Sequence, residues 1–243
     1  MSKECSVFVN GAAIVLVSTG YGGAKEKDLM NSILFAQLVA NKRVIKNSAT
    51  NWSTEYLGVL GDFWVRNFKV RHDISLEKNQ LAAPVEWAAM AMANSDEGEV
   101  RALAESLEWI ARLPCSSPEL NMLRSKAQPA SVGDEMLDPA SLKAVRLLVI
   151  LAQNPPSMTC LCLEFKTRKA LEGNPWTQHF RAEDVDGPVS ARYFRATLSE
   201  TLYELYRNAI ALKVRDRLSD NVVSLAKAVD ISTVLAHGEL DHE

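Results

Sequence analysis

Hydrophobic positions along the chain follow two spacings, and the change from one to the other divides a helix-rich first half from a second half with clearer strand character. Residues 12–17 are a short apolar run with β-branched Ile14, Val15 and Val17. They end at Ser18, Thr19 and a glycine cluster, which predicts a buried strand leaving a sheet. Asp28 is then placed to cap a helix whose stripe is Met30, Ile33, Leu34 and Leu38, closing near Lys42 and Arg43. Trp52, Tyr56, Val59 and Leu60 share one side of a second helix ended by Gly61, which predicts a helical hairpin. Residues 63–70 alternate and read as extended, with either face able to be the buried one.

Pro84 opens a helix through Trp87, Met90 and Ala91, and Val100, Leu103, Leu107 and Ile110 mark another. Residues 120–126 add a turn or two. Residues 142–152 fit both periods, with strand narrowly preferred. After the turn at Asn154, Pro155 and Pro156, Leu161, Leu163 and Phe165 alternate with polar or small neighbours, so a β-hairpin is predicted around the prolines. Residues 173–188 read as a loop anchored by Trp176 and Phe180, and residues 191–198 as a strand. Ser199 then starts a long helix with Leu202, Leu205, Tyr206, Ala209 and Ile210 assigned to the core. The tail from His237 is polar, acidic and frayed. The expected fold is α+β: a helix-rich region over residues 1–127 with a buried strand, a candidate linker over 128–138, and a region over 139–243 with a β-hairpin closed by a long helix. The two regions could equally form one compact domain.

Composition narrows the function. The 243 residues are 47% hydrophobic and 23% charged, which excludes collagenous, coiled-coil and wholly disordered classes. With 27 basic against 30 acidic side chains, the net charge of -3 gives no long-range attraction to a phosphate backbone, so nucleic acid is not expected as a partner. Cys5, Cys115, Cys160 and Cys162 are too scattered for a disulfide framework and read as reduced cytosolic thiols. No second pair accompanies Cys160 and Cys162 to make a metal site. Residues 5–24 carry no charge and are nominally long enough to span a bilayer, but Asn10, Gly11 and the glycines at 20, 22 and 23 interrupt them, so interior sheet is favoured over a membrane segment. A cytoplasmic location follows.

The most suggestive local feature is the passage from strand through Gly20, Gly22, Gly23 and Lys25 to a helix, because backbone amides at a helix start can hold an anion. These four residues are the candidate ligand site. The pattern nevertheless misses both phosphate-loop signatures: Glu26 stands where a Ser or Thr should follow the Lys, and Lys25 where a third glycine belongs. His179, beside Trp176 and Phe180, is the one histidine worth testing as a general base, with a surface role the more ordinary assignment. The aromatics Trp52, Tyr56, Phe63, Trp64 and Phe68 are assigned to the core rather than to a stacking platform. No catalytic set, metal or cofactor is nominated.

Residues 28–42, DLMNSILFAQLVANK, followed by Trp52, Tyr56, Val59, Leu60, Gly61 and Trp64, resemble a pattern in uncharacterised bacterial proteins associated with α-helical pore-forming toxin or insecticidal gene clusters. Residues 202–218 are similar to it as well. The resemblance implies a bacterial, toxin-associated setting and brings no catalytic residue. The expectation is therefore a non-enzymatic accessory protein that self-associates or holds a protein partner. The rivals are an enzyme or nucleotide-binding protein using the glycine loop, and a membrane-active toxin component using residues 5–24.

Overall fold

The computed structural model describes residues 4–47, 49–93, 97–129, 142–153 and 155–230. The uncharged N-terminal run folds as a hairpin, β1 (Glu4–Asn10) and β2 (Ala13–Ser18), turning at Gly11, whose positive φ of 61° suits glycine. Gln37 secures that turn, accepting from the Ala12 amide and donating to the Asn10 carbonyl. Every residue from Asn10 to Val17 is buried, so the segment considered for membrane insertion is interior sheet. Among the described residues no helix is long and apolar enough to cross a membrane.

Helix α1 (Ala24–Lys46) starts four residues before the expected cap. Gly23, at φ 74°, takes the cap position, and Asp28 lies inside the helix, buried, where it accepts from Arg207. Helix α2 (Trp52–Gly61) folds back on α1 as the predicted hairpin, its first turn capped by the Asn51 side chain accepting from the Thr54 amide. Strand β3 (Trp64–Ile74) follows, then the two-residue strand β4 (Leu81–Ala82), α3 (Pro84–Met92), α4 (Glu97–Ala111) and α5 (Pro118–Ala127). The helix read from Val100 onward is thus present, while the Val100 side chain lies outside the described ones. Of the expected linker, residues 130–138 lie outside the described residues, as does the tail from His237.

Strands β5 (Lys143–Ala152) and β6 (Ser157–Thr167) form the hairpin around Pro155 and Pro156. The eight residues Val145–Ala152 are all buried, which explains why their sequence shows no clean alternation: both faces of β5 are covered. The expected loop at 173–188 contains β7 (Phe180–Arg181) and the first residues of β8 (Val185–Leu198). Helix α6 (Glu200–Arg215) begins at the Ser199 cap, and β9 (Val222–Asp230), not anticipated from the sequence, pairs with β1.

Seven strands form one sheet in the order β3-β8-β6-β5-β2-β1-β9, so strands from both halves of the sequence interleave in an α+β fold. All neighbours are antiparallel except β2 and β5 at the centre. One face carries α1 and α2: Trp52 stacks on Tyr56, and the Arg146 guanidinium lies 5.1 Å from the Trp52 ring centre. The other face carries α3, where Trp87, Phe165 and Phe180 pack with ring centres 5.1 to 5.9 Å apart. Burying three such rings removes several hundred Å² of apolar surface from water and is a major local source of stability.

Candidate functional site

Helix α6 is where the sequence reading and the structure part. The expected core stripe was Leu202, Leu205, Tyr206, Ala209 and Ile210, but only Ile210 is buried. Leu205 and Leu212 are 73% and 60% exposed, and Leu202 and Tyr206 are also exposed. Tyr203, Ile210 and Val214 face inward instead, with Arg207 between them half-buried. The helix is set in this rotation at its start. The Ser199 amide donates to the Phe63 carbonyl, the Tyr203 ring meets Phe63 edge-on at 5.5 Å, and the Tyr203 hydroxyl donates to the Asp28 carbonyl. Arg207 then bonds both carboxylate oxygens of Asp28, at 3.1 and 3.3 Å, and also reaches Glu200. Burial raises the Asp28 pKa against the lowering effect of Arg207, and the Glu200 hydrogen bond leads the causes that raise Arg207. Two apolar stripes lie side by side on α6, and periodicity alone does not say which one turns inward.

Beside the outward stripe is a hollow of about 290 Å³ between α1 and α6, lined by Phe35, Phe63, Tyr206, Ala209 and Ile210 with Asp62 and Lys213 at its margin. Charge along α6 is graded. Glu200 and Glu204 occupy its first turns and Lys213 and Arg215 its last, a distribution that also complements the helix dipole.

A second feature lies on the α3 side of the sheet. The register aligns Leu151 with Thr159, Thr159 with Arg195, and Arg195 with Phe68, so four strands contribute one row to one face. Ser157 and Thr197, paired two residues along, extend the row. A β-bulge places Asn67 as an extra residue between Arg66 and Phe68, and its amide donates to Thr197 Oγ1 at 3.0 Å. Together these residues line a cleft of about 410 Å³. No sequence motif could have marked it, because its members come from four separate strands.

The predicted ligand loop lies next to this cleft without lining it. Tyr21 is buried and its hydroxyl reaches the Ser157 carbonyl at 3.3 Å, while Ser18 donates to the Gln153 carbonyl. Gly22, Gly23 and Lys25 are exposed, and a Cβ built on Gly22 or Gly23 would meet nothing within 4 Å. Gly20 belongs to a single 3-10 turn, Thr19–Tyr21. Glu26 in the first turn of α1 opposes an anion there. His179 lies at the surface, its Nε2 4.0 Å from Glu86. Of the predicted aromatic core, Trp52, Tyr56, Phe63 and Trp64 are buried, and Phe68 is half-buried at the cleft.

Cys160 and Cys162 share the sheet face under α2 and are fully buried against Tyr56. Burial pushes the Cys162 thiol up to about 12 and raises Cys160 as well. Both are therefore protonated, unreactive side chains. Among the described residues no group of three His, Cys, Asp or Glu is positioned to hold a metal ion.

No family model matches the chain, and no curated protein is significantly similar to it. Among solved structures, the Evf virulence factor is similar at 12% identity and a TM-score of 0.37, over 91% of this chain and 85% of that one. A delta-endotoxin is similar at 12% identity and a TM-score of 0.36, over 78% and 82%. At those scores neither likeness carries a functional argument.

Proposed function

We propose that this chain is a non-enzymatic interaction protein whose working surface is the outer stripe of α6, and that its first partner is a second copy of itself. The supporting observation is the outward exposure of Leu202, Leu205, Tyr206 and Leu212 on a single helix about 24 Å long. An isologous pair with the two α6 helices antiparallel puts Leu202 of one copy near Leu212 of the other. Ala209 at the middle of the stripe allows close approach. The neighbouring hollow offers each copy space for the partner's Leu205. A toxin-associated setting comes from the sequence resemblance alone, and the accessory role fits it.

Sedimentation velocity of the full chain tests the reading. Dimer should grow with concentration and be abolished by Leu205→Asp with Leu212→Asp, with the thermal midpoint unchanged. A chain that stays monomeric up to about 100 µM overturns it, since a dimer weaker than that is of little use to a cell. So does a double variant that loses thermal stability while the parent is monomeric, because the stripe is then covered from within the same molecule.

A further inference from the structure

We infer that a small cavity beside Arg146, on the face of the sheet opposite the cleft, is a binding site for a halide ion. The pairing of β2 with β5 begins at Ala13 and Leu148, so Arg146 lies just beyond it, at the β1–β2 turn. There α1, the start of α2, the end of α5 and the loop before β9 meet, and Arg146, Lys126, Asn41, Gln37, Trp52 and Asn221 line the cavity. Its volume of about 20 Å³ holds one particle the size of a water molecule or a chloride ion. Phosphate, sulfate and organic acids are too large to enter it whole.

Charge decides between water and anion. The lining carries two cations, Arg146 and Lys126, and no carboxylate. Arg146 is 7% exposed, and its guanidinium donates to Asn41 Oδ1 and lies against the Trp52 ring, yet its Nε is buried without a partner. An unfilled donor on a buried cation is costly. Glu164, opposite Arg146 in the β5–β6 register, accepts from Asn51 and Ser53, and among the described residues Arg146 forms no ion pair. Arg192 adjoins the same turn of α2, so two guanidiniums share one carboxylate and the region keeps an excess of positive charge. Lys126, half-buried on α5, adds to that excess and has no ion pair among the described residues either.

A halide meets these conditions together. It accepts from several N–H donors at once without demanding a fixed geometry, and it supplies the missing negative charge. Asn41 Oδ1 accepts from both Trp52 Nε1, at 2.7 Å, and Arg146, which fixes the amide and leaves its Nδ2 as a further donor at the cavity. Burial lowers the Arg146 pKa, and a bound anion opposes that shift. A water molecule would fill the space and leave the charge uncompensated.

Chlorine NMR on the full chain tests the assignment with sodium chloride as the probe. Bound chloride should broaden the chloride resonance, and bromide should displace it, whereas phosphate at matched ionic strength should not. Lys126→Gln should weaken binding at least about tenfold with an unchanged circular dichroism spectrum, and Arg146→Met should abolish it. The lysine variant decides the matter if the arginine variant does not fold. Broadening that is absent, that phosphate removes as well as bromide does, or that Lys126→Gln leaves within about twofold of the parent overturns the site, and water is then its occupant.

Discussion

The two faces of the central sheet bury side chains of opposite character. Toward α3, away from the cleft, the layer is aromatic: Phe165 meets both Trp87 and Phe180 edge to face, and the Trp87 and Phe180 rings are tilted at 34°. Toward α2 the layer contains charge: Arg146 is buried, hydrogen-bonded to Asn41 at 3.2 Å and held against the Trp52 ring, and burial lowers its pKa. Glu164, across the β5–β6 ladder, accepts from the Asn51 amide at 2.9 Å and the Ser53 backbone at 3.3 Å, while Arg192 donates to Asn51 and Thr54. Two arginines and a glutamate thus converge on the first turn of α2. The aromatic face depends on area and shape, and the polar face on every group keeping its partner.

The largest effect is expected on the aromatic side. Trp87→Ala opens a cavity among rings that cannot collapse into it and should cost about 3–5 kcal/mol in urea unfolding. A loss below about 1 kcal/mol would mean that this face is loosely packed. On the polar side Glu164→Gln keeps the shape but removes the charge beside Arg146 and Arg192, and should cost about 2 kcal/mol. A gain in stability would show the charges to be a net burden.

The polar face also contains a group without a partner, and the expectation there is reversed. The Tyr56 hydroxyl is buried and has no hydrogen-bond partner, so Tyr56→Phe should stabilise by about 1 kcal/mol. A destabilised variant would indicate that the hydroxyl is satisfied in solution. A comparable effect is expected as a pH dependence. The Cys162 thiol ionises near 9 when the chain is unfolded, but burial keeps it protonated in the native state up to about 12. Above pH 9 the native chain therefore binds more protons than the unfolded one. The contribution is intact below pH 9 and is lost as pH rises toward 12, at no more than about 1.4 kcal/mol per pH unit. Urea midpoints at pH 8 and pH 10 should fall less in Cys162→Ala than in the parent, and equal falls would assign the loss to other groups.

The same contrast separates what the sequence made legible from what it concealed. Alternation exposed β6 because its Cys160, Cys162 and Glu164 face a polar layer while Leu161, Leu163 and Phe165 face an apolar one. Strand β5, apolar on both sides, read equally well as helix. The hairpin of α1 and α2 was legible because Met30, Ile33 and Leu34 of α1 and Trp52, Tyr56, Val59 and Leu60 of α2 recur at helical spacing and are all buried, but the start of α1 was not: Asp28, a good cap by type, lies inside the helix and pairs with Arg207, 179 residues away. A tertiary contact likewise turned α6. The cleft was invisible for a related reason, since its row exists only once four strands have aligned.

The single parallel pairing has a kinetic consequence. Both flanking hairpins, β1–β2 and β5–β6, close through a few residues, but Ser18 and Gln153, which meet where β2 lies beside β5, are 135 positions apart. Closing so long a loop is costly in entropy and slow, so this seam is the natural bottleneck in assembly. A nascent chain emerging from the ribosome would have to hold the hydrogen-bonding edge of β2 unpaired until more than half of the polypeptide had followed it.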